Sequence, residues 1–225
     1  MVSTKWRLAG GVIALIGSAA GQLAQYVVAP AHLSGGTAAE QVDALAGHSE
    51  RMQVAVWLDV PILLLIPAAL YLGWLGQARR SRLAATGAGL TFVSALGIGY
   101  LFAADLLIHL AAQAEDRDGA VALVDAFQTS AVFNTAVLTG VLGTTVGLVL
   151  TGIALVRAKT VPAWVGIAVA AAPVLTIVGE AGGVGAVAIT AYVLQLLGFA
   201  GCAVTLVQLA GREAATAASM TPAAA

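Results

Sequence analysis

Charge is scarce in this sequence. Asp, Glu, Lys and Arg make up 9% of its 225 residues, against about 25% in an ordinary soluble domain. So little charge cannot cover a water-exposed surface, and a soluble globular fold is excluded. Ten basic residues balance eleven acidic ones and form no basic run, which argues against nucleic-acid binding. Cysteine is nearly absent. Cys202 stands alone, so no disulfide framework and no Cys-rich metal site can form within one chain. HExxH, ExxH and GxSxG spacings are missing, and with them the zinc-protease and serine-hydrolase signatures. No lysine falls within an apolar run to carry a Schiff base, and His109 is the one histidine in such a run, where a membrane haem wants two. Asp59, Asp105 and His109 could offer three O/N ligands, but without a motif spacing neither a metal nor a cofactor is expected.

What is present is apolar. Hydrophobic residues make up 60% of the chain, and the mean hydropathy is +0.96. A helix crossing the hydrocarbon core needs about 20 mostly apolar residues. Six segments meet that length, at 8–29, 54–76, 84–111, 131–156, 162–179 and 184–209. The expected fold is all-α, a single domain over 1–211 built as a six-helix transmembrane bundle. The Ala/Thr-rich stretch 212–225 lacks apolar periodicity and reads as a disordered cytoplasmic tail. Lys5 and Arg7 ahead of an apolar run resemble the start of a signal peptide, but the run continues to Val28, too long for a typical h-region. An uncleaved first span is expected.

Basic residues set the expected orientation. Lys5, Arg7, Arg79, Arg80, Arg82, Arg157, Lys159 and Arg212 fall on one side, and Arg51 and Arg117 on the other. The positive-inside rule then places both termini in the cytoplasm of a bacterial plasma membrane. Trp6, Trp57, Trp74 and Trp164 each lie near a span end, as aromatic belts do. In the first outer loop, Thr37 and Glu40 have capping-box spacing ahead of Val42 and Leu45, which predicts a short amphipathic helix. In the second, Asp118 is the expected cap of a helix running into span four. Both loops read as connectors dipping into the headgroups, or as a partial lid over an outer pocket. Gly17/Gly21 and Gly143/Gly147 are small-xxx-small pairs suited to bundle packing, or to contact with a second copy or a partner protein.

Polar residues collect at one depth. Asp59 lies about 7–8 Å inside the outer end of span two at the helical rise. Asp105 and His109 lie near the outer end of span three, Gln22 and Tyr26 near that of span one, and Asn134 at the start of span four. The inner half holds almost nothing ionisable. Asp105 and His109 are four apart and share a helix face, where a carboxylate beside an imidazole can hold or pass a proton near neutral pH. Gln22 and Tyr26 share a face in the same way. Pro61 and Pro67 interrupt span two beside Asp59, freeing carbonyls near Trp57 and Leu63. Asn134 and Gln195 also read as interhelical hydrogen-bond partners, and Glu180 as a solvated loop acid.

Such a site suggests an outer-leaflet polar pocket for a small lipophilic molecule. Asp59, Asp105 and His109 are its candidate acid–base groups, and Gln22, Tyr26, Trp57 and Asn134 its candidate ligand-binding groups. A proton-coupled transporter is the alternative, weakened because polar residues do not continue past Gln195. A non-catalytic partner protein is a third reading. The run Val54-Ala-Val-Trp-Leu-Asp59-Val-Pro61, the stretch Ala68 to Leu72 and Gln77-Ala-Arg-Arg80 before a Gly-rich third span resemble small six-helix bacterial membrane proteins of actinomycete type, a family of unknown function. The resemblance implies a fold and a topology, and supplies no activity.

The orientation has a direct check in single-cysteine labelling of intact cells. Asp43→Cys and Asp116→Cys should react with an impermeant thiol reagent, and Arg80→Cys should not. The reverse pattern would invert the topology.

Overall fold

Backbone amides in hydrocarbon must satisfy one another, and a helix does so within a single segment. The computed structural model describes residues 4–30, 36–77 and 81–219, and within them the chain is helical with no strand. The helices are α1 (Thr4–Val28), α2 (Ala38–Ala46), α3 (Ser49–Ile62), α4 (Leu65–Gly76), α5 (Arg82–Ala111), α6 (Arg117–Thr129), α7 (Ala131–Ala158), α8 (Ala163–Ala181) and α9 (Gly185–Ser219). Six stretches are long and apolar enough to cross a membrane: Trp6–Val28, Ser49–Gly76, Arg82–Ala111, Ala131–Ala158, Ala163–Ala181 and Gly185–Arg212. The chain is a multi-pass membrane protein. Many large apolar side chains are exposed, among them Ile13, Val60, Leu63, Leu96, Leu142 and Ile167, which suits a surface facing lipid.

The six spans close into a ring in chain order. α1 packs on α3 and α4, α4 on α5, α5 on α7, α7 on α8, α8 on α9, and α9 back on α1. The second span is two helices. Pro61 has no N–H to give Trp57, and Pro67 none to give Leu63. Between them the backbone tightens into three-residue hydrogen bonds, Leu63 N to Val60 O at 3.2 Å, Leu64 N to Pro61 O at 3.1 Å and Ile66 N to Leu63 O at 3.0 Å. After this break α4 reaches across the ring to α7 and α9, whereas α3 packs on α1, α5 and α2. Leu65, Leu72 and Leu75 of α4 join Leu148, Leu155 and Phe199 in the main buried cluster. The Tyr71 hydroxyl ties α4 to α1 by donating to the Arg7 carbonyl at 2.9 Å. One end of the ring is thereby filled.

A second cluster builds the other end. Val42 and Leu45 of α2, Met52 and Ala55 of α3, Ile108 of α5 and Val124 of α6 are buried together. Thr37 and Glu40 form the capping box expected for α2. α6 is capped by Asp116, whose Oδ1 accepts from Gly119 N at 3.1 Å, and not by Asp118. The chain then turns at Ser130, which caps α7 through Phe133 N at 3.2 Å, so α6 does not run on into the fourth span. The tail expected to be disordered from 212 is helical as far as Ser219. Residues 220–225 lie outside the described residues.

Both glycine pairs are used inside the bundle, which accounts for their spacing without a second copy or a partner protein. A Cβ on Gly17 would meet Leu64 at 2.8 Å, and one on Gly21 would meet Pro61 at 3.1 Å. Gly143 and Gly147 face Ser94 and Thr91 of α5. The α5–α7 seam is the tightest contact. A Cβ on Gly97 would lie 2.5 Å from the Ala136 carbonyl oxygen, and one on Gly140 3.0 Å from the Gly97 backbone. Two helices this close gain dispersion contacts along their whole length.

Gly97→Ala should therefore force α5 and α7 apart and lower the melting temperature in detergent, since overpacking costs about 1–3 kcal/mol. Gly89→Ala, on the same helix with no atom within 4 Å, should be neutral or stabilising by up to about 1 kcal/mol. Equal effects from the two would rule out backbone contact as the reason for glycine at 97.

Candidate functional site

The ring leaves a space at its centre that α4 does not fill. This cavity measures about 790 Å³. Its wall runs from a rim at Pro30, Arg51, Glu180 and Gly183 inward to Leu65, Leu148 and Gln195. The rim is the end of the bundle that α2 and α6 flank, and α4 lies at the inner limit.

Polar groups line one stretch of this wall. Gln25 Nε2 of α1 donates to Asp105 Oδ2 of α5 at 3.4 Å. Gln195 Nε2 of α9 donates to Gln22 Oε1 at 3.1 Å. Gln22 and Gln25 are three apart on α1 and present adjacent amides. The Tyr26 and Tyr192 rings are 5.1 Å apart between centroids and tilted by 40°. The Tyr192 hydroxyl donates to Glu180 Oε1 at the end of α8. Thr144, Thr145 and Thr176 add hydroxyls, and the remaining wall is mostly Ile, Leu, Val and Phe. The cavity therefore joins two carboxylates, Asp105 within and Glu180 at the rim, and a band of amides and phenols to an apolar depth.

Asp59 sits beside this cavity and is not part of its wall. It lies on the buried stripe of α3 with Met52, Ala55 and Ile62 and is 3% exposed. Neither carboxylate oxygen has a hydrogen-bond partner among the described residues. It is close enough to Asp105 for the two to interact electrostatically. A buried polar group left unpartnered costs about 1–3 kcal/mol, and more when charged.

The structure brings together only part of the expected site. Gln22, Tyr26 and Asp105 line the cavity. His109 is buried, but its Nε2 lies 2.9 Å from Gln113 Nε2, and it neither lines the cavity nor bonds Asp105 among the described residues. Helical spacing puts Asp105 and His109 on one face, but only Asp105 reaches the cavity wall. Trp57 is 70% exposed on the outer surface of α3. Asn134 is also exposed, and its Nδ2 donates to the Gln128 and Ser130 carbonyls, each at 3.1 Å. It stabilises the α6–α7 turn and does not line the cavity. α2 and α6 cover the α3–α5 seam and contribute nothing to the cavity wall, so they do not form its lid. His48 is exposed beside the Ala44 carbonyl, and His32 lies outside the described residues.

Gln25, Tyr192 and Phe102 belong to the wall and were not singled out from the sequence. Gln25 had a signal, because it shares a helical face with Gln22. Glu180, read as a solvated loop acid, is exposed and also part of the rim. Gln195 is the interhelical hydrogen-bond partner expected of it. Among the described residues no group of three or more His, Cys, Asp or Glu side chains converges as a metal site. No protein-family model, curated protein or solved structure matches the chain.

Asp59→Leu tests whether that acid is a burden on the fold. Replacing an unpartnered buried polar group with an apolar one of similar size is neutral or stabilising. The melting temperature in detergent should hold or rise. A fall of several degrees would mean that Asp59 has a stabilising partner.

Proposed function

We propose that this membrane protein binds a small, mostly lipophilic molecule in the cavity between its spans. The polar end of the ligand sits at Asp105 and Gln25, and its apolar body lies against Leu65, Leu101 and Leu148. One observation carries the reading: a carboxylate stands inside a cavity of about 790 Å³ whose deeper wall is apolar. Ligand sites in general enclose about 300–1,000 Å³, with mostly apolar walls and a few placed polar groups. Ionisable residues within spans are costly and mark functional positions. By the bias of its basic residues, the rim opens to the outer face of a bacterial plasma membrane.

Binding is favoured over acid–base catalysis by the candidate trio. A catalytic relay needs its groups within hydrogen-bond reach of each other or of the substrate. His109 is held by Gln113 away from the cavity, and Asp59 lies behind the wall. Asp105 is the single candidate acid in contact with a bound molecule. Transport is disfavoured because the cavity stops at the α4 cluster of Leu65, Leu72 and Leu75.

The test is native mass spectrometry of the protein purified in mild detergent. Wild type should carry a discrete small organic molecule. Thr145→Trp, which puts a large ring into the cavity, should lose it. Bulk phospholipid alone in both forms would overturn the reading.

A further inference from the structure

Charge balance inside the ring narrows the ligand class. Asp105 and Glu180 line the cavity, and Asp59 adds a third acid within electrostatic range of Asp105. Arg51 is the one basic side chain in the described wall, and it is exposed at the rim on α3. Among the described residues the one ion pair joins Arg117 to Asp43, in the loop helices outside the cavity. The hydrogen bond found for Asp105 comes from a neutral amide at 3.4 Å. At the rim Arg51 and Glu180 offset each other, and deeper in the ring Asp105 and Asp59 have no basic side chain to balance them, in a setting where uncompensated charge is expensive.

The wall supplies a second, independent feature. Tyr26, Tyr192 and Phe102 line the cavity together, and the two tyrosine rings are close enough to form one aromatic surface at 5.1 Å. Aromatic faces carry negative electrostatic potential and attract cations within about 6 Å of the ring centroid. The Tyr192 hydroxyl is engaged by Glu180, which holds that ring in the wall. An anionic ligand would meet acids and ring faces together. A neutral ligand would draw nothing from a carboxylate charge or from the potential of the ring faces.

We infer that the cavity selects lipophilic organic cations, molecules with an amine, ammonium or phosphonium centre on an apolar body. This rests on the cavity being a ligand site, as proposed above. The positive centre lies between Asp105 and the Tyr26–Tyr192 surface, and the apolar body extends towards Leu65 and Leu148. No covalent step is involved.

Two probes of nearly equal size and opposite charge test this directly: tetraphenylphosphonium and tetraphenylborate. Their binding to the full chain in lipid nanodiscs is measured by equilibrium dialysis, with protein-free nanodiscs subtracting partition into lipid. The phosphonium should bind saturably and at least about tenfold tighter than the borate, a difference of about 1.4 kcal/mol. Asp105→Asn should lose about tenfold for the phosphonium and nothing for the borate, and Asp105→Glu should restore the preference. Equal or tighter borate binding to wild type overturns the inference without any variant having to fold. So does phosphonium binding unchanged by Asp105→Asn. If both probes bind equally and Thr145→Trp blocks both, the cavity stands as a ligand site and its charge selection falls. If neither binds saturably, both readings fall.

Discussion

The architecture depends on a break in one helix. Six uninterrupted spans in a ring would enclose a space open along the bundle axis. Pro61 and Pro67 prevent that by withholding two hydrogen bonds in succession, and the turn at Leu63–Leu64 releases α4 from the line of α3. α4 then meets α7 and α9, and its leucines fill one end. The cavity is what remains above this plug. Its depth follows from where the second span bends.

The bundle is also held by close backbone approach. Lipid tails are as apolar as leucine, so burying leucine gains little in a membrane, and helices associate through packing instead. The α5–α7 seam is built for it, with glycines at 87, 97, 140 and 147 and back-bonded hydroxyls at Thr91 and Thr151. A rigid seam on one side of the cavity and a broken helix on the other give the site an asymmetric frame. Asp105 sits on the rigid helix α5, and Asp59 sits just before the break.

The acids weigh on stability. Asp59 has no hydrogen-bond partner among the described residues, and Asp105 has one long bond to a neutral amide. Natural folds tolerate such groups mainly at working sites, where local rules are broken for a reason. An apolar residue at either position would suit the surrounding core better. Both are carboxylates, beside a cavity whose wall includes Tyr26, Phe102 and Tyr192.

Much of the fold was legible in the sequence. Apolar run length alone located the six spans to within a few residues, because an unpaired backbone in lipid leaves the chain no alternative to helix. The Thr37–Glu40 box and the effect of the prolines were legible for the same reason, since both are local hydrogen-bond chemistry. The depth of the polar residues was legible too, because rise per residue is constant. Which way each side chain faces was not. Trp57 and Asp59 are two apart on one helix, yet one meets lipid and the other the core. Asp105 and His109 share a helical face, yet only Asp105 reaches the cavity. Asn134 has the right depth but is used by its own turn. The sequence by itself determined the helices, their lengths and the level of the polar band, because these follow from local hydrogen bonding and transfer into lipid. Only the tertiary structure decided which members of that band meet, because azimuth around a ring is set by how all six spans pack at once.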